Sequence, residues 1–290
     1  MAGTALPTRR TEAWKYSDLA RALPGVTLSA PTDTARIIEA LAGSVTHIDV
    51  PAETSVLSVD RFGADAMEAR AFAAHVKAGA TLTRVVVQTA TDGVPLGAVR
   101  VRLDAGATFR QFIYAEGAKL ARFETEVSVE GAGAHVELNG VYLVDDGRHA
   151  DLTSQVIHAQ PGGETRQLIK GVARKGGRGV FQGKILVAPH AQRTDARQNH
   201  HALLLEDGGE VFAKPELEIH ADDVQCAHGN TVGGLDADAL FYMRQRGLPE
   251  AQARALLIEA FLGEAVSASL PDDLRAEILQ RIGSWLGASQ

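Results

Sequence analysis

The sequence predicts a mainly β chain, a flattened β-helix in the middle followed by helices. Three observations carry that expectation. Apolar and polar residues alternate with period two through the middle, turn signals recur there at a near-constant spacing, and the pattern switches to helical periodicity near residue 235. Aromatic residues make up only 5% of the 290. Such a core is layered from aliphatic side chains rather than built around large rings.

The first region, residues 1–80, mixes short helical stretches with turns. Residues 64–78 read as a helix, with Met67, Ala71, Ala74 and Ala78 close to a 3.6-residue period. Near the start, Trp14 and Tyr16 sit among charges in Arg9-Arg10-Thr11-Glu12-Ala13-Trp14-Lys15-Tyr16-Ser17-Asp18-Leu19. That pattern suits a short docking element or an amphipathic N-terminal helix.

Residues 81–234 form the expected β core. Val99, Val101 and Leu103 alternate with arginines, Val127 and Val129 with Ser128 and Glu130, and Val136 and Leu138 with Glu137 and Asn139. Turn signals fall at Gly131-Ala132-Gly133, Asp145-Asp146-Gly147, Pro161-Gly162-Gly163, Gly176-Gly177, Pro189-His190-Ala191, Asp207-Gly208-Gly209 and Ala221-Asp222-Asp223. They recur every ~14–18 residues, a repeat of position rather than of identity. A β-sandwich or jelly roll places turns every ~8–12 residues. The wider spacing and the Val/Ile/Leu character favour coils that bury aliphatic faces on one another.

Residues 235–290 read as three helices. Asp236 is the N-cap of the first, Arg244 and Arg246 suit the negative end of its dipole, and Gly247 stops it. Pro249 starts a second, with Ala253, Leu256, Leu257, Ala260 and Phe261 along one face. Pro271 starts a third, with Leu274, Ile278, Ile282 and Trp285 inward. They form either an interaction module or a cap over the open end of the β core.

Composition excludes several functions. A net charge of −7 gives no footprint for nucleic acid, and no Lys/Arg block suits an anionic membrane. One cysteine cannot form an internal disulfide, which points to a reducing compartment. Met1 to Arg10 lacks an apolar signal region, and a cytoplasmic location is expected.

Chemical motifs narrow the field. Gly177 and Gly183 are one residue too far apart for a phosphate-binding loop, and Ile185 follows Lys184 where a hydroxyl is needed for Mg²⁺. No Gly-x-Ser-x-Gly elbow is present. The most informative stretch is Asp222-Asp223-Val224-Gln225-Cys226-Ala227-His228-Gly229-Asn230-Thr231-Val232-Gly233-Gly234. On a strand, Cys226 and His228 project to one face as a soft-ligand pair. One thiol and one imidazole cannot close a metal site alone. Adjacent His200 and His201 face opposite sides of a strand, so at most one joins a common site. His220, Cys226 and His228 converge only if the intervening corner allows it, which defines the alternative reading: a metal-dependent β-helix or cupin-like enzyme. Otherwise the pair is structural, or a partner completes it.

The same stretch, followed by Leu240-Phe241-Tyr242-Met243-Arg244-Gln245-Arg246-Gly247, resembles the C-terminal signature of the SufD family, scaffold subunits of the SUF iron–sulfur cluster assembly system. Glu206-Asp207-Gly208-Gly209-Glu210-Val211-Phe212-Ala213-Lys214-Pro215-Glu216-Leu217-Glu218-Ile219 also fits it, as does Arg10 to Ser17. The resemblance implies a right-handed parallel β-helix core with a C-terminal helical domain. It implies a non-enzymatic scaffold that pairs with the β-helix of the related SufB and docks the ABC-type ATPase SufC through its C-terminal helices, here Leu240, Phe241, Tyr242, Arg244 and Arg246. The family's interface histidine, matched by His228, is implied to act with a SufB cysteine in cluster formation, and Cys226 matches the neighbouring thiol. No resident cofactor is expected on the isolated chain, only a transient iron–sulfur cluster in complex with SufB; alone, the chain is expected to be able to form a homodimer. Where SufB carries Glu-Ala after the histidine, this chain has Gly229-Asn230. The region between Trp14 and the β core is shorter than in many relatives, a departure that bears on any function attached to a longer N-terminal domain.

Overall fold

The computed structural model describes residues 4–28 and 33–287. Two short strands, β1 (Thr4–Ala5) and β2 (Thr27–Leu28), pair antiparallel in the N-terminal segment. The remaining fourteen strands wind as a parallel β-solenoid of two facing seven-stranded sheets. One sheet holds β3 (Thr46–Val50), β5 (Met67–Val76), β7 (Val94–Leu103), β9 (Ala121–Val129), β11 (His149–His158), β13 (Arg178–Val187) and β15 (Glu210–Ile219). The other holds β4 (Ser55–Phe62), β6 (Thr81–Gln88), β8 (Thr108–Ala115), β10 (His135–Val144), β12 (Glu164–Ala173), β14 (Asp195–Leu204) and β16 (Gln225–Gly233).

Successive strands alternate between the sheets, so the turn spacing read from the sequence is half a coil. A full coil separates hydrogen-bonded neighbours such as His135 and Glu164, 29 residues apart. Equivalent positions therefore stack. Val101, Val127, Val156, Ile185 and Leu217 form one inward column, each in register with the next. Branched aliphatic side chains suit that stacking at the strand spacing of a sheet, which accounts for the scarcity of aromatics. Corners stack as well: Gly133 N–H donates to Pro161 O (3.1 Å), and Gly176 N–H to Gly208 O (3.0 Å). Gly133, Gly147, Gly162 and Gly176 all have φ between 68° and 79°, a backbone region open to glycine at little cost.

The structure corrects the reading of residues 64–78. Met67–Val76 within them form β5, with no helix there, and the solenoid starts at Thr46, so the boundary expected at 81 falls inside it. Alanines fit either periodicity; what decides is the ladder, in which Ala74 pairs with Ile48 on one side and Val101 on the other. Tertiary pairing overrides a weak local preference.

Each sheet has its outer face covered. Over the first lies the N-terminal segment, with α1 (Leu19–Ala22) and α2 (Ile37–Ala42); Leu6, Trp14, Leu19 and Ile38 join Val94, Leu96 and Leu120 in one buried cluster. Trp14 sits in a 3₁₀ turn rather than an amphipathic helix, fully buried, with the Arg122 guanidinium 4.0 Å from its ring centre. Arg122 is itself buried, bonded to Asp151 (2.5 Å), Glu124 (2.8 Å) and Ala13 O (2.8 Å). The segment reaches the last coil, where Tyr16 stacks on Phe212 (5.3 Å) and Glu12 pairs with Lys214 (2.8 Å).

The second sheet is covered by the C-terminal helices. These are α3 (Ala237–Gln245), α4 (Glu250–Gly263) and α5 (Asp272–Gly287). Ile258 and Leu262 of α4, with Leu274, Ile278, Ile282 and Trp285 of α5, pack on Val85, Val87, Phe112, Val141 and Leu143. Arg174 lies 3.9 Å from the Trp285 ring centre, and Lys170 pairs with Glu264 (2.5 Å) below Phe261. The buried face of α4 is thus set by Ala253, Ile258 and Leu262; Leu256 and Ala260 are exposed, contrary to expectation. The helices also do not cap the solenoid. They lie against a sheet face and leave its last coil open.

Trp14→Ala is expected to cost about 3–5 kcal/mol of unfolding free energy in urea titration, because it empties a fully buried site and strips the cation–π partner from Arg122. A loss under about 1 kcal/mol would show that the N-terminal segment is not anchored there.

Candidate functional site

A parallel strand satisfies its backbone groups through neighbours on both sides. β15 and β16 form the last coil, and each is the edge of its sheet. Their outer N–H and C=O groups have no neighbouring strand. Edges are normally blunted by charge or proline. β15 has both: Glu210, Lys214, Glu216, Glu218 and Pro215. β16, QCAHGNTVG, has neither.

Cys226 and His228 lie on that unprotected strand. Its register with β14 pairs Ala196 with Cys226, Gln198 with His228, His200 with Asn230 and Ala202 with Val232. The four β14 residues are buried inside the solenoid, so the β16 row is the lumen-facing row at the open mouth. Cys226 packs partly against the core cluster, and burial raises its thiol pKa. A thiol held protonated is a weak nucleophile, but a metal can displace its proton. His228 is exposed and has no hydrogen-bond or ion-pair partner among the described residues.

Below His228 one column of the lumen is largely polar. One register position runs Arg84, Gln111, Leu138, Gln167, Gln198 and ends at His228. Three glutamines cross to the facing sheet: Gln111 donates to Thr125 Oγ1 (2.6 Å), Gln167 to Ser154 Oγ (2.8 Å) and Gln198 to Gly183 O (3.2 Å). His200 lies between Phe181 and Tyr142, stacked on both at 5.0 and 5.9 Å. Its Nδ1–H donates to Asn230 Oδ1 (2.7 Å), and its Nε2 accepts from the Tyr142 hydroxyl (3.0 Å). Gly171 and Gly179 leave the space that the Tyr142 ring fills; a Cβ at either would collide with it. Asn230 is therefore tied down, and it fixes the backbone two residues from His228.

The structure sorts the histidines. His149, His158 and His200 are buried, and desolvation holds each at a pKa of about 4. His158 Nε2 bonds Thr165 Oγ1 (2.8 Å). His200 and His201 face opposite sides, as expected, and His201 Nδ1 meets Thr231 Oγ1 (2.7 Å) outside. His220 is engaged by Glu218 (3.0 Å). Among the described residues no three His, Cys, Asp or Glu side chains are arranged to hold a metal ion, so His220, Cys226 and His228 do not form the enzyme-type centre considered above.

The helical candidates lie beside this edge. Asp236 accepts from the N–H groups of Asp238 and Ala239 (2.9 and 3.0 Å), as an N-cap should. Among the described residues α3 buries none; Phe241 and Tyr242 are 63% and 60% exposed, and Arg244 and Arg246 point to solvent, the latter over the Tyr242 ring. Leu240 is half-buried.

Residues 37–261 match the family described as SUF system FeS cluster assembly, SufBD core domain. The chain belongs to the SufBD family. It is 35% identical over 183 residues to the iron–sulfur cluster assembly protein SufD of Escherichia coli (strain K12), a match covering 63% of this chain and 43% of that protein. A SufBD family protein of Mycobacterium leprae (strain TN) is 33% identical over 216 residues, covering 71% of this chain and 55% of the relative. The chloroplastic protein ABCI7 of Arabidopsis thaliana is 36% identical over 167 residues, covering 57% and 35%. The matched part thus spans about half or less of the length of these relatives. The E. coli similarity agrees with the SufD-like reading of the sequence. No helix among the described residues is long and apolar enough to cross a membrane.

His200 reads from the sequence as a candidate ligand and the structure makes it a buried support instead, while Gln198 and Asn230 escape the sequence reading of this site. The signal was present: two half-coil turn spacings place residue 198 beside 228 and residue 200 beside 230.

The buried histidines make stability acid-sensitive. Unfolded, each takes up a proton near 6.5; folded, only near 4. The unfolded state binds more protons between those values, so stability present above pH 6.5 is lost as pH falls toward 4. Each histidine contributes on the order of 2 kcal/mol of loss by pH 5. Urea titrations at pH 7 and pH 5 test this; equal stability at both would contradict the buried neutral assignments.

Proposed function

We propose that the chain is a SufD-type, non-enzymatic scaffold that pairs through its last coil with SufB and presents His228 to a nascent iron–sulfur cluster. The observation that carries this reading is the combination at β16: an edge strand without charge or proline, bearing an exposed histidine that no described residue engages. A second β-solenoid adding its own edge would satisfy those backbone groups and bring a partner's thiolate beside His228. Neutral imidazole and thiolate together suit iron. The cluster is cargo, formed on a site neither subunit completes alone. Without SufB the same edge would accept a second copy of this chain.

ATP hydrolysis, in this reading, belongs to SufC, docked on the exposed aromatics of α3. The connection is short: Gly234, Leu235 and Asp236 alone separate β16 from α3. A shift of α3 on association of two SufC subunits would therefore pull directly on the strand that carries His228.

The test is iron and acid-labile sulfide in the complex co-expressed with SufB and SufC. His228→Ala should leave the complex assembled but without most of its iron and sulfide. Phe241→Ala/Tyr242→Ala should instead weaken SufC binding by roughly 30-fold, as expected for loss of interface aromatics worth about 2 kcal/mol. Full cluster content in the His228 variant would make that histidine structural.

A further inference from the structure

A second place on the molecule gathers unspent charge. Where the N-terminal segment crosses the corners leading into β9, β11 and β13, a cavity of about 360 Å³ is lined by Arg9, Arg21, Lys119, Arg178 and His149. Asp18 and Glu210 also line it, but both are engaged. Asp18 caps α1 by accepting the Arg21 backbone N–H (3.0 Å), and Glu210 accepts from Arg178 Nε and Nη2 (2.9 and 2.5 Å). The side chains of Arg9, Arg21 and Lys119 have no ion-pair or hydrogen-bond partner among the described residues. Two belong to the N-terminal segment and one to a solenoid corner, so like charges from two parts of the chain face one opening.

His149 specifies the ligand further. It is buried, with Nε2 3.2 Å from Ser17 Oγ. The Ser17 hydroxyl spends its hydrogen on Asp151 Oδ2, so its oxygen must accept, and His149 is protonated at Nε2. Burial, with the Arg178, Arg122 and Arg9 charges, keeps the ring neutral at pH 7, overcoming the opposing Asp151 carboxylate. Nδ1 is left as a lone-pair acceptor on a residue lining the cavity.

We propose that this cavity binds a small oxyanion that still carries a hydroxyl, hydrogenphosphate being the ligand of matching chemistry. Arg9, Arg21 and Lys119 supply charge-assisted donors to its oxygens, and Nδ1 of His149 accepts from its P–O–H. Sulfate has the same size and charge but no hydroxyl, so Nδ1 faces it with an unshared lone pair. Bound phosphate would also bridge the N-terminal segment to the solenoid and remove the repulsion between their cations.

Calorimetric titration of the 290-residue chain at pH 7 and constant ionic strength tests this with sodium phosphate, sodium sulfate and sodium chloride. Phosphate is expected to bind saturably, with sulfate at least about tenfold weaker and chloride without effect, since one hydrogen bond to a charged group separates the two oxyanions. Arg21→Gln/Lys119→Gln, both exposed positions, should raise the phosphate Kd at least about tenfold while leaving melting without phosphate no lower than in the unaltered chain. No saturable phosphate binding, equal binding of sulfate, or an unchanged Kd in the double variant would each overturn the proposal.

Discussion

The architecture depends on one constraint: a coil of a parallel solenoid is completed only by its neighbours. Inside the stack every strand has one on each side, and register repeats from coil to coil. At β15 and β16 the series stops. The N-terminal segment and the C-terminal helices satisfy a different need, burial of the two sheet faces, and among the described residues neither supplies backbone partners to the final coil. The two edges are then treated differently. β15 is charged and interrupted by proline, whereas β16 is uncharged and carries the histidine. An edge left unprotected in a stable chain is a liability unless something pairs with it.

The interior supports that edge. Histidines within the solenoid are held neutral by burial, and His200 is fixed by both ring nitrogens. Its contact to Asn230 transmits the rigidity of the Tyr142–Phe181 stack to the mouth of the lumen. His228, one step along the same row, has none of these restraints. Rigid backbone beneath a side chain that no described residue engages leaves His228 available at the mouth, and only Gly234, Leu235 and Asp236 link its strand to the exposed aromatics of α3.

Much of this was legible in the sequence. Alternating Val and Leu, evenly spaced glycine corners and the Asp236, Gly247 and Pro249 punctuation each have local causes, and the structure places them as read. Residues 64–78 misled because alanine suits a helix locally while its pairing partners lie a coil away. The α4 face was misjudged for a similar reason: it packs on a sheet rather than on another helix alone, so Ile258 and Leu262 rather than Leu256 face inward. At the site, Cys226 and His228 were visible as a same-face pair, but Gln198, His200 and Asn230 gain their meaning only from register. The role of Trp14 was ambiguous until its partner, the buried Arg122, was in place.

The most direct measurement is amide hydrogen exchange across the chain, alone at low concentration and mixed with SufB, the partner proposed above. Pairing through the last coil predicts that protection rises along β16, and less along proline-interrupted β15, while the outer-face contacts around Trp14 and Trp285 stay unchanged. Protection appearing only at β3 and β4, with β16 exchanging as in the free chain, would contradict it.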